Sequence, residues 1–493
     1  MSKKIFFINP PFHKRFSRES RSPAVAKSDT LYYPKWLCHA AAYAEQEGYE
    51  IFVLDAPADE LSLEECMDCI KREDPFLVVC DTSTPSCLND FSIANKIIDD
   101  FSLPVMLVGR HVSSMPEHAL ENCKAEFVAL REYEFTVVQV AEYYKGSRDK
   151  RLVKGVAYID QEKQVKRSQP QEVPKNLDIF PWVSPIYKRF LNLEAYFYGH
   201  SLHPLVVLDT SRGCPYHCSF CVYPQTFSGH VVRFRSEENV VAEFRWVREN
   251  LPKIRTVMLE DDTFIVNKKR TERLADALIA DGNTLPYDSN NRVDIGVDYE
   301  FLKKLHKSGA RLFCVGFESG ATDVISHMDK NNNKKKDQSY LDTAKEFTNL
   351  ATKAGIMIHG CFMIGNLNET KDTLEETLKF SKQLNVDTAQ FFPIMVYPGT
   401  TAYTEAEERG LLRSTNFNDW LTETGLHNSV VDLPNLTSQD LVKFADRARR
   451  EFYLRPKYIG RKILQSFKNF EELKRNLIGF KKLSYYLVKG SDV

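Results

Sequence analysis

The sequence lacks long apolar runs and an excess of charge of either sign. No stretch approaches the roughly 18 to 20 apolar residues that cross a bilayer, and a short strand-like run, Ile5 to Ile8, stands where a signal peptide would have its apolar segment. The 66 basic residues nearly balance the 67 acidic ones, which argues against a dedicated nucleic-acid binder. We therefore expect a cytoplasmic protein without a nucleic-acid partner, long enough at 493 residues for several domains.

The 11 cysteines lack the pattern of a disulfide framework, because their number is odd, they are scattered and no export signal precedes them. Three of these expected reduced thiols, Cys214, Cys218 and Cys221, follow the apolar run Leu205 to Leu208. This pattern indicates a strand leading into a metal-binding loop. Three thiolates are one ligand short of a structural zinc site, but they can hold three irons of a [4Fe-4S] cluster and leave the fourth open. Zinc with a distant histidine, or three incidental thiols, is the alternative.

Apolar strands alternate with helical patterns through most of the chain. Residues 1–145 predict a Rossmann-like, doubly wound parallel sheet, an α/β fold. Residues 146–200 predict a hairpin and a proline-rich linker. Residues 201–410 predict about six β/α units, a partial (β/α)6 barrel of the TIM type, in which working residues lie at the carboxyl ends of the strands. Residues 411–493 are predicted to be helical and basic.

At the cysteine loop the sequence resembles the radical SAM superfamily, whose signature Cys-x3-Cys-x-aromatic-Cys is matched by Cys214, Cys218, Phe220 and Cys221. The resemblance implies that the open iron binds the amino and carboxylate groups of S-adenosylmethionine (SAM). It also implies an electron donor of the reduced flavodoxin or ferredoxin type. The electron cleaves SAM to a 5'-deoxyadenosyl radical, which abstracts hydrogen from an unactivated carbon, so the protein supplies binding and shielding.

Polar residues at the later strand ends are the SAM contacts that this resemblance implies. The acidic group at 260–262 follows the second barrel strand and would contact the amino group. Arg292 follows the third strand and would pair with the carboxylate, while Glu318 and Ser319 belong to a Gly-x-Glu-Ser-like segment near the ribose. Ordinary loop residues and an outward-facing arginine are the alternatives. The predicted cofactor-binding set is Phe220, Glu260, Asp261, Asp262, Arg292, Glu318 and Ser319, and no catalytic residue is assigned.

Two further cysteines, Cys314 and Cys361, lie within apolar strands, and we interpret them as core thiols. Cys66 and Cys69 lie one helical turn apart, and we interpret them as part of a partly exposed helix face, with metal binding as the alternative. No cysteine follows Cys361, so the C-terminal auxiliary clusters of some peptide-modifying relatives would have no ligands here.

A Rossmann-like domain before such a barrel resembles the class of the superfamily with an N-terminal cobalamin-binding-type domain, which makes cobalamin a candidate third cofactor. The Asp-x-His-x-x-Gly motif that supplies an axial histidine is absent after the first strand. Val108 to His111 resembles the family's Gly-Gly-x-His segment with Arg110 in place of the second glycine, a side chain expected to crowd a corrin. Cobalamin binding without a histidine ligand and no cobalamin binding both stay open.

The closest likeness is to the hopanoid-biosynthesis radical SAM enzymes that contract a lipid-attached ribose-derived ring to a cyclitol. It runs through segments such as Tyr33 to Leu37, Tyr223 to His230 and Glu260 to Phe264. This likeness implies a small-molecule or lipid-linked substrate and a rearrangement, ring contraction or C-C bond formation. The alternatives are a cobalamin-dependent radical SAM C-methyltransferase and, in another class, a non-catalytic iron-sulfur redox or ligand-sensing protein.

The end of the chain is basic, with 14 Lys and Arg against 5 Asp and Glu from Leu441 to Val493. Its aromatic and basic stretches, Arg449 to Arg455 and Phe480 to Tyr486, are typical either of an interfacial helix or of cap helices packed on the barrel. The first interpretation predicts a peripheral contact at the inner membrane face. The charged run Asp329 to Asp337 is predicted to be a surface loop.

Overall fold

The computed structural model describes residues 3–330, 339–466 and 470–490, without the side chains at 466, 470, 483 and 485–489. Apart from its first two positions, the predicted surface loop Asp329 to Asp337 lies outside the described residues. Within the described ranges, no helix combines the length and the apolar character that a membrane span requires.

The first part of the chain forms a seven-stranded sheet with the order β2-β1-β3-β4-β5-β6-β7. Its strands are β1 Lys4–Asn9, β2 Glu50–Asp55, β3 Leu77–Thr82, β4 Val105–Gly109, β5 Phe127–Ala129, β6 Val156–Ile159 and β7 Val165–Arg167. The first five are parallel, in the flavodoxin-like order of a doubly wound fold. The predicted hairpin is β6–β7, which lies antiparallel at the edge of this sheet and therefore belongs to it rather than to the linker.

Helices cover this sheet and connect its strands. They are α1 Lys35–Gln46, α2 Ala56–Asp59, α3 Leu63–Glu73, α4 Cys87–Phe101, α5 Arg110–Ser114, α6 Pro116–Asn122, α7 Glu134–Tyr144 and, in the linker, α8 Ser184–Phe190. Every residue of β3 is buried, as expected for a parallel strand covered on both faces. Ser62 begins α3 with a capping box, because its hydroxyl accepts from the Glu65 backbone N–H while the Glu65 carboxylate accepts from Ser62.

The central part of the chain forms a six-stranded parallel sheet that curves into a partial barrel. Its strands are β8 Leu205–Leu208, β11 Thr256–Leu259, β12 Tyr287–Asn291, β13 Ala310–Glu318, β14 Met357–Ile364 and β15 Thr388–Pro393, in that spatial order. A two-stranded antiparallel ladder, β9 Ser211–Arg212 with β10 Arg233–Phe234, flanks the cysteine loop. The predicted α/β architecture with its (β/α)6 core is confirmed.

The helices of this part are α9 Val222–Thr226, α10 Glu237–Asn250, α11 Lys268–Ala280, α12 Tyr299–Lys307, α13 Thr322–His327, α14 Tyr340–Lys353, α15 Lys371–Leu384 and α16 Thr401–Glu408. Helices α10, α11, α12, α14 and α15 pack side by side in sequence order. They therefore form the outer layer, and the carboxyl ends of the strands face the other parts of the chain.

The C-terminal helices are α17 Ser438–Tyr453, α18 Pro456–Ser466 and α19 Phe470–Lys489. Helical structure begins at Ser438 and not at 411, because the intervening segment contains Gly410, Gly425 and Pro434 and is mostly irregular. Helix α17 packs on β15, where the Tyr453 hydroxyl donates to the carbonyl of Ala389 at 2.7 Å.

The two basic and aromatic stretches have different surroundings. Phe452 is fully buried and Arg449 donates to the Phe391 carbonyl at 3.1 Å, so the first stretch is a packed cap. In the second, Phe480 is 63% exposed and Lys482 forms an ion pair with Asp29, while the side chains at 483, 485 and 486 lie outside the description. The membrane contact of this second stretch stays a prediction.

Candidate active site

The three clustered thiols open on one cavity at the carboxyl end of the barrel. Cys214 and Cys218 are buried and Cys221 is half-buried, and all three line a cavity of about 840 Å³. Burial raises the pKa of the Cys221 thiol to about 12, so metal binding here would displace a proton. Three thiols aimed into one space with an open side are the donor set of a [4Fe-4S] cluster with one free iron. The residues present fit that group.

A glycine sets the entry to this loop. Gly213 has a φ of +92°, and a Cβ at this position would lie 2.3 Å from the carbonyl oxygen of Val231. Only glycine meets both conditions without strain. Its backbone N–H donates to a carboxylate oxygen of Asp262 at 3.0 Å, and the same oxygen accepts from Ser228 Oγ at 2.8 Å. Asp262, predicted as a SAM contact, therefore lines the cavity and also braces the start of the cysteine loop.

Gln225 holds the rest of the loop. Its Nε2 donates to the carbonyls of Cys218, Ser219 and Cys221 at 3.1, 3.2 and 2.9 Å. Its Oε1 accepts from the backbone N–H and the hydroxyl of Thr401, both at 3.0 Å. One side chain thus ties the loop to the segment that follows β15. Gln225 lies in the segment Tyr223 to His230, but nothing in its spacing identified this role.

Glu260 is a second carboxylate of the acidic group that lines the cavity, beside Asp262. Its Oε2 accepts from Asn290 Nδ2 at 3.0 Å, and burial raises the pKa of its carboxyl. Lys35 donates to the Glu260 backbone carbonyl at 3.1 Å and leaves the side chain to the cavity. The Glu260 carboxylate is therefore available to an ammonium group.

Asp261 faces the opposite way. Its two carboxylate oxygens accept from the backbone N–H and hydroxyl of Thr210, both at 2.6 Å, and from Ser211 Oγ at 2.7 Å. It is fully buried and does not line the cavity. The expectation that Asp261 contacts SAM does not agree with this placement, because successive side chains at a strand end point to opposite faces.

Arg292 lies against the cluster loop. Its Nη1 is 3.0 Å from Cys218 Sγ, and its guanidinium lies over the Tyr216 ring at 3.9 Å from the ring centroid. Asp294 accepts from Nε at 2.9 Å and from Nη2 at 2.7 Å, while the Lys330 carbonyl accepts from Nη2. The structure thus places Arg292 at the cavity wall, next to a predicted cluster ligand and with its donors already engaged.

At the end of β13, the side chain of Glu318 lines the cavity and that of Ser319 does not. Glu318 lines the cavity with a φ of +64° and pairs with Lys330 Nζ at 2.7 Å. A Cβ on Gly316 would lie 2.2 Å from the Glu318 carboxylate, so glycine there lets that side chain fold back over the strand. Ser319 is fully buried away from the cavity and is 3.0 Å from Thr377 Oγ1. Phe220 lines the cavity near Lys330.

The sequence patterns do not predict several of the residues that line the cavity. Arg21 and Tyr32 reach the cavity from a segment without secondary-structure periodicity, and Arg21 Nη1 lies 3.5 Å from Asp262. Cys314 and Cys361 also line it, although we interpreted them as core thiols. Their strands are apolar because they are part of a barrel, and an apolar strand does not reveal that the barrel interior is open at these positions.

At the first sheet, side chains of the protein itself fill the edge where the parallel strands have their carboxyl ends. The Arg18 side chain lies at the end of β1, where its guanidinium donates to both carboxylate oxygens of Asp90, at 3.2 and 2.6 Å, and to Asn9 Oδ1 at 2.7 Å. Both charged side chains are fully buried. In the strand order 2-1-3-4-5 this is the switch point, between β1 and β3, where doubly wound sheets bind ligands.

Arg110 closes the rest of this edge. It donates to the carbonyls of Arg18 and Ser20 at 2.7 and 2.5 Å, and its guanidinium lies over the Tyr223 ring at 4.6 Å from the centroid. The small cavity lined by Arg110, Ser114 and Tyr397 among others measures about 10 Å³, room for at most one water molecule. A corrin does not fit beside Arg110, and the space that remains between the two sheets is the large cavity, which Ser20 and Arg21 line from the side of the first domain.

The central domain matches a known family. Residues 208–381 match the model of the radical SAM superfamily. An uncharacterised methyltransferase of Pyrococcus horikoshii is 28% identical over 94% of this chain and 95% of its own length. An anaerobic magnesium-protoporphyrin IX monomethyl ester cyclase of Cereibacter sphaeroides is 25% identical over 82% of this chain, which spans 64% of that relative.

A solved structure is similar over nearly the whole chain. The radical S-adenosylmethionine methyltransferase TsrM from Kitasatospora setae, with cobalamin and a [4Fe-4S] cluster bound, has a TM-score of 0.72 and 17% identity. The match covers 98% of this chain and 100% of that one. Residues 208–381 are thus a radical SAM domain, and the three thiols on the loop after the first barrel strand match the ligand set for the [4Fe-4S] cluster that such a SAM-dependent enzyme uses.

Proposed function

We propose that this radical SAM enzyme methylates an unactivated carbon of a small-molecule substrate held in the central cavity. One SAM supplies the 5'-deoxyadenosyl radical and a second SAM supplies the methyl group, which a bound cobalamin would carry to the substrate. The observation that carries the site is that Cys214, Cys218 and Cys221 open on the same cavity as the carboxylate of Glu260, which Asn290 holds by one hydrogen bond. The similarity to methyltransferases in both sequence and fold favours methyl transfer among the reactions of the superfamily. Fold similarity alone does not fix a substrate.

A cluster bound at the three cysteines supplies the electron that cleaves SAM. The chain's own residues bind, orient and shield. Glu260 accepts hydrogen bonds from the SAM ammonium, and Glu318, held by Lys330, accepts from ribose hydroxyls. Helices α17 to α19 and the segment around Arg21 wall the cavity, so water is excluded from a reactive radical.

Rearrangement, ring contraction or C-C bond formation without cobalamin is the second candidate. It is favoured by the filled edge of the first sheet, where the cavity beside Arg110 measures about 10 Å³ and does not hold a corrin, and by the relative that is a cyclase. The likeness to cyclitol-forming enzymes and the lipid-linked substrate rest on sequence segments and stay predictions, as does the flavodoxin or ferredoxin type donor.

An isotope experiment separates the candidates without knowledge of the substrate. Cells that make the protein, or its Cys218→Ala variant, are fed methionine with a trideuterated methyl group, and their metabolites are compared by mass spectrometry. Methyl transfer predicts a metabolite that depends on intact Cys218 and carries the three deuterons. A metabolite that depends on Cys218 but carries no label would contradict methylation and support the second candidate.

A cofactor measurement complements it. Protein purified without oxygen and incubated with hydroxocobalamin is expected to retain one corrin per chain after gel filtration if the methylation depends on cobalamin. A protein that retains no corrin absorbance would favour the second candidate and would agree with the filled edge at Arg18 and Arg110.

A further inference from the structure

A second group of metal-ligating side chains lies on the barrel wall. Cys314 of β13 and His359 of β14 are directly paired in the sheet register, and Cys361 follows His359 by two residues. Residues two apart on a strand point to the same face, and all three side chains line the central cavity. They have no part in the cluster loop described above.

The distances within this group suit a tetrahedral metal. The two sulfur atoms are 3.7 Å apart, and the ligand atoms of the three residues all lie within 4.8 Å of one another. A tetrahedral ion with metal–sulfur bonds of about 2.3 Å separates two thiolate sulfurs by about 3.8 Å. We propose that Cys314, Cys361 and His359 bind a Zn²⁺ ion whose fourth coordination position opens into the cavity.

The surroundings of His359 orient its ring for this role. His359 Nδ1 is 2.8 Å from Thr388 Oγ1, so with Nδ1 donating to that hydroxyl, Nε2 keeps its lone pair for a metal. The His200 ring stacks on the His359 ring at a centroid distance of 4.5 Å. His200 also lines the cavity and is buried, and its Nε2 has no hydrogen-bond partner among the described residues.

A group of one cysteine and two histidines in the first domain, Cys87, His111 and His118, also has its ligand atoms within 4.8 Å of one another, but it is packed. His111 has both ring nitrogens engaged, Nδ1 with Thr84 Oγ1 at 3.2 Å and Nε2 with His118 Nδ1 at 3.1 Å. Cys87 is fully buried, and the Phe417 ring packs against both histidines. That group therefore faces core side chains, whereas Cys314, His359 and Cys361 face open space.

The position of the site suggests what it binds. Cys314 precedes Glu318, at the carboxyl end of β13, by four residues, so the site lies roughly 13 Å deeper in the barrel than the strand end. Three protein ligands and one open position are the pattern of a catalytic rather than a structural zinc. This role rests on the proposed function: the ion would hold an oxygen, nitrogen or sulfur atom of the substrate in the same cavity onto which the cluster cysteines open.

Elemental analysis of the cluster-loaded full-length protein tests the metal site. After anaerobic reconstitution with iron and sulfide, addition of Zn²⁺ and dialysis against a weak chelator, we expect about four irons and one zinc per chain. Cys361→Ser and His359→Gln are each expected to lose the zinc and keep the four irons. Because the retained iron reports an intact barrel, the zinc loss is not a failure to fold.

The matched control removes a different pair of thiols. Cys66→Ser/Cys69→Ser, in helix α3, is expected to keep both the zinc and the iron. An iron-loaded wild type without zinc, or zinc retained by Cys361→Ser and His359→Gln, would overturn the proposal. So would a disulfide between Cys314 and Cys361 in peptides mapped from the anaerobic protein, because it would make the pair a redox couple. None of these readouts needs turnover, so the site and the proposed methylation can fail separately.

Discussion

The parallel strands of the two large sheets end at very different edges. The carboxyl end of the barrel opens on about 840 Å³ lined by thiols and a half-buried carboxylate, Glu260. At the carboxyl end of the first sheet, Arg18 and Arg110 are held by an ion pair, backbone hydrogen bonds and ring contacts, and the cavity beside Arg110 measures only about 10 Å³. A doubly wound sheet therefore does not by itself provide a ligand site. Whether it does depends on the residues at its switch point.

Ion pairs join the first domain to the strands that flank the cysteine loop. Glu134, just after the end of β5, pairs with Arg212 of β9 at 2.6 Å, and Glu132 pairs with both Arg212 and Arg233. All four side chains are buried. Arg212 stands two residues before Cys214, so the first domain holds the base of the cysteine loop. We infer that the first domain acts here as a scaffold for the cluster.

The largest expected effect is the loss of SAM cleavage when a thiol is removed at the open edge of the barrel, compared with a thiol removed in the first domain. Cys218→Ala removes one of the three cluster thiols and is expected to reduce 5'-deoxyadenosine formation from SAM to background, since the cluster provides the electron. The measurement is chromatography of products from cluster-reconstituted protein with dithionite. Cys69→Ala, in the first domain, is expected to keep wild-type activity, and an equal loss there would contradict the division of roles between the two edges.

The second effect concerns the ion pair that closes the first edge. Arg18→Met leaves Asp90 buried without its cation, which is expected to lower the free energy of unfolding of the first domain by about 3–5 kcal/mol. Arg18→Met/Asp90→Leu is expected to recover most of it, because no unpaired charge remains. Hydrogen exchange of amides in β1 and β3 measures the change.

An exposed ion pair provides the control for this experiment. Lys124 and Asp99 are 2.7 Å apart with side chains 57% and 53% exposed, so Lys124→Met is expected to cost about 1 kcal/mol or less. If Arg18→Met lowers the free energy of unfolding no more than Lys124→Met does, the ion pair between Arg18 and Asp90 does not stabilise this edge of the first sheet.

The sequence predicted the parts of the molecule that repeat a local pattern. The strands of both sheets follow from short apolar runs, and the cysteine loop follows from its spacing. Arg18 and Arg21 could not be assigned, because the segment that carries them has no periodicity and its position depends on tertiary contacts. Cys314 and Cys361 were assigned to the core, because apolar strands look alike whether the space beside them is filled or open.

The smallest expected effect is a change in SAM affinity that differs between two adjacent carboxylates, Glu260 and Asp261. Glu260→Gln removes a charged acceptor that faces the cavity, and it is expected to weaken SAM binding about 10-fold or more, since a hydrogen bond to a charged group contributes about 1.5–3 kcal/mol. Asp261→Asn is expected to leave SAM affinity nearly unchanged, because its oxygens bond Thr210 and Ser211. Its effect should instead be a less stable loop that retains less iron. Equilibrium dialysis of SAM and iron analysis measure the two, and a loss of SAM affinity in Asp261→Asn with full iron would mean that this side chain turns toward the cavity when SAM binds.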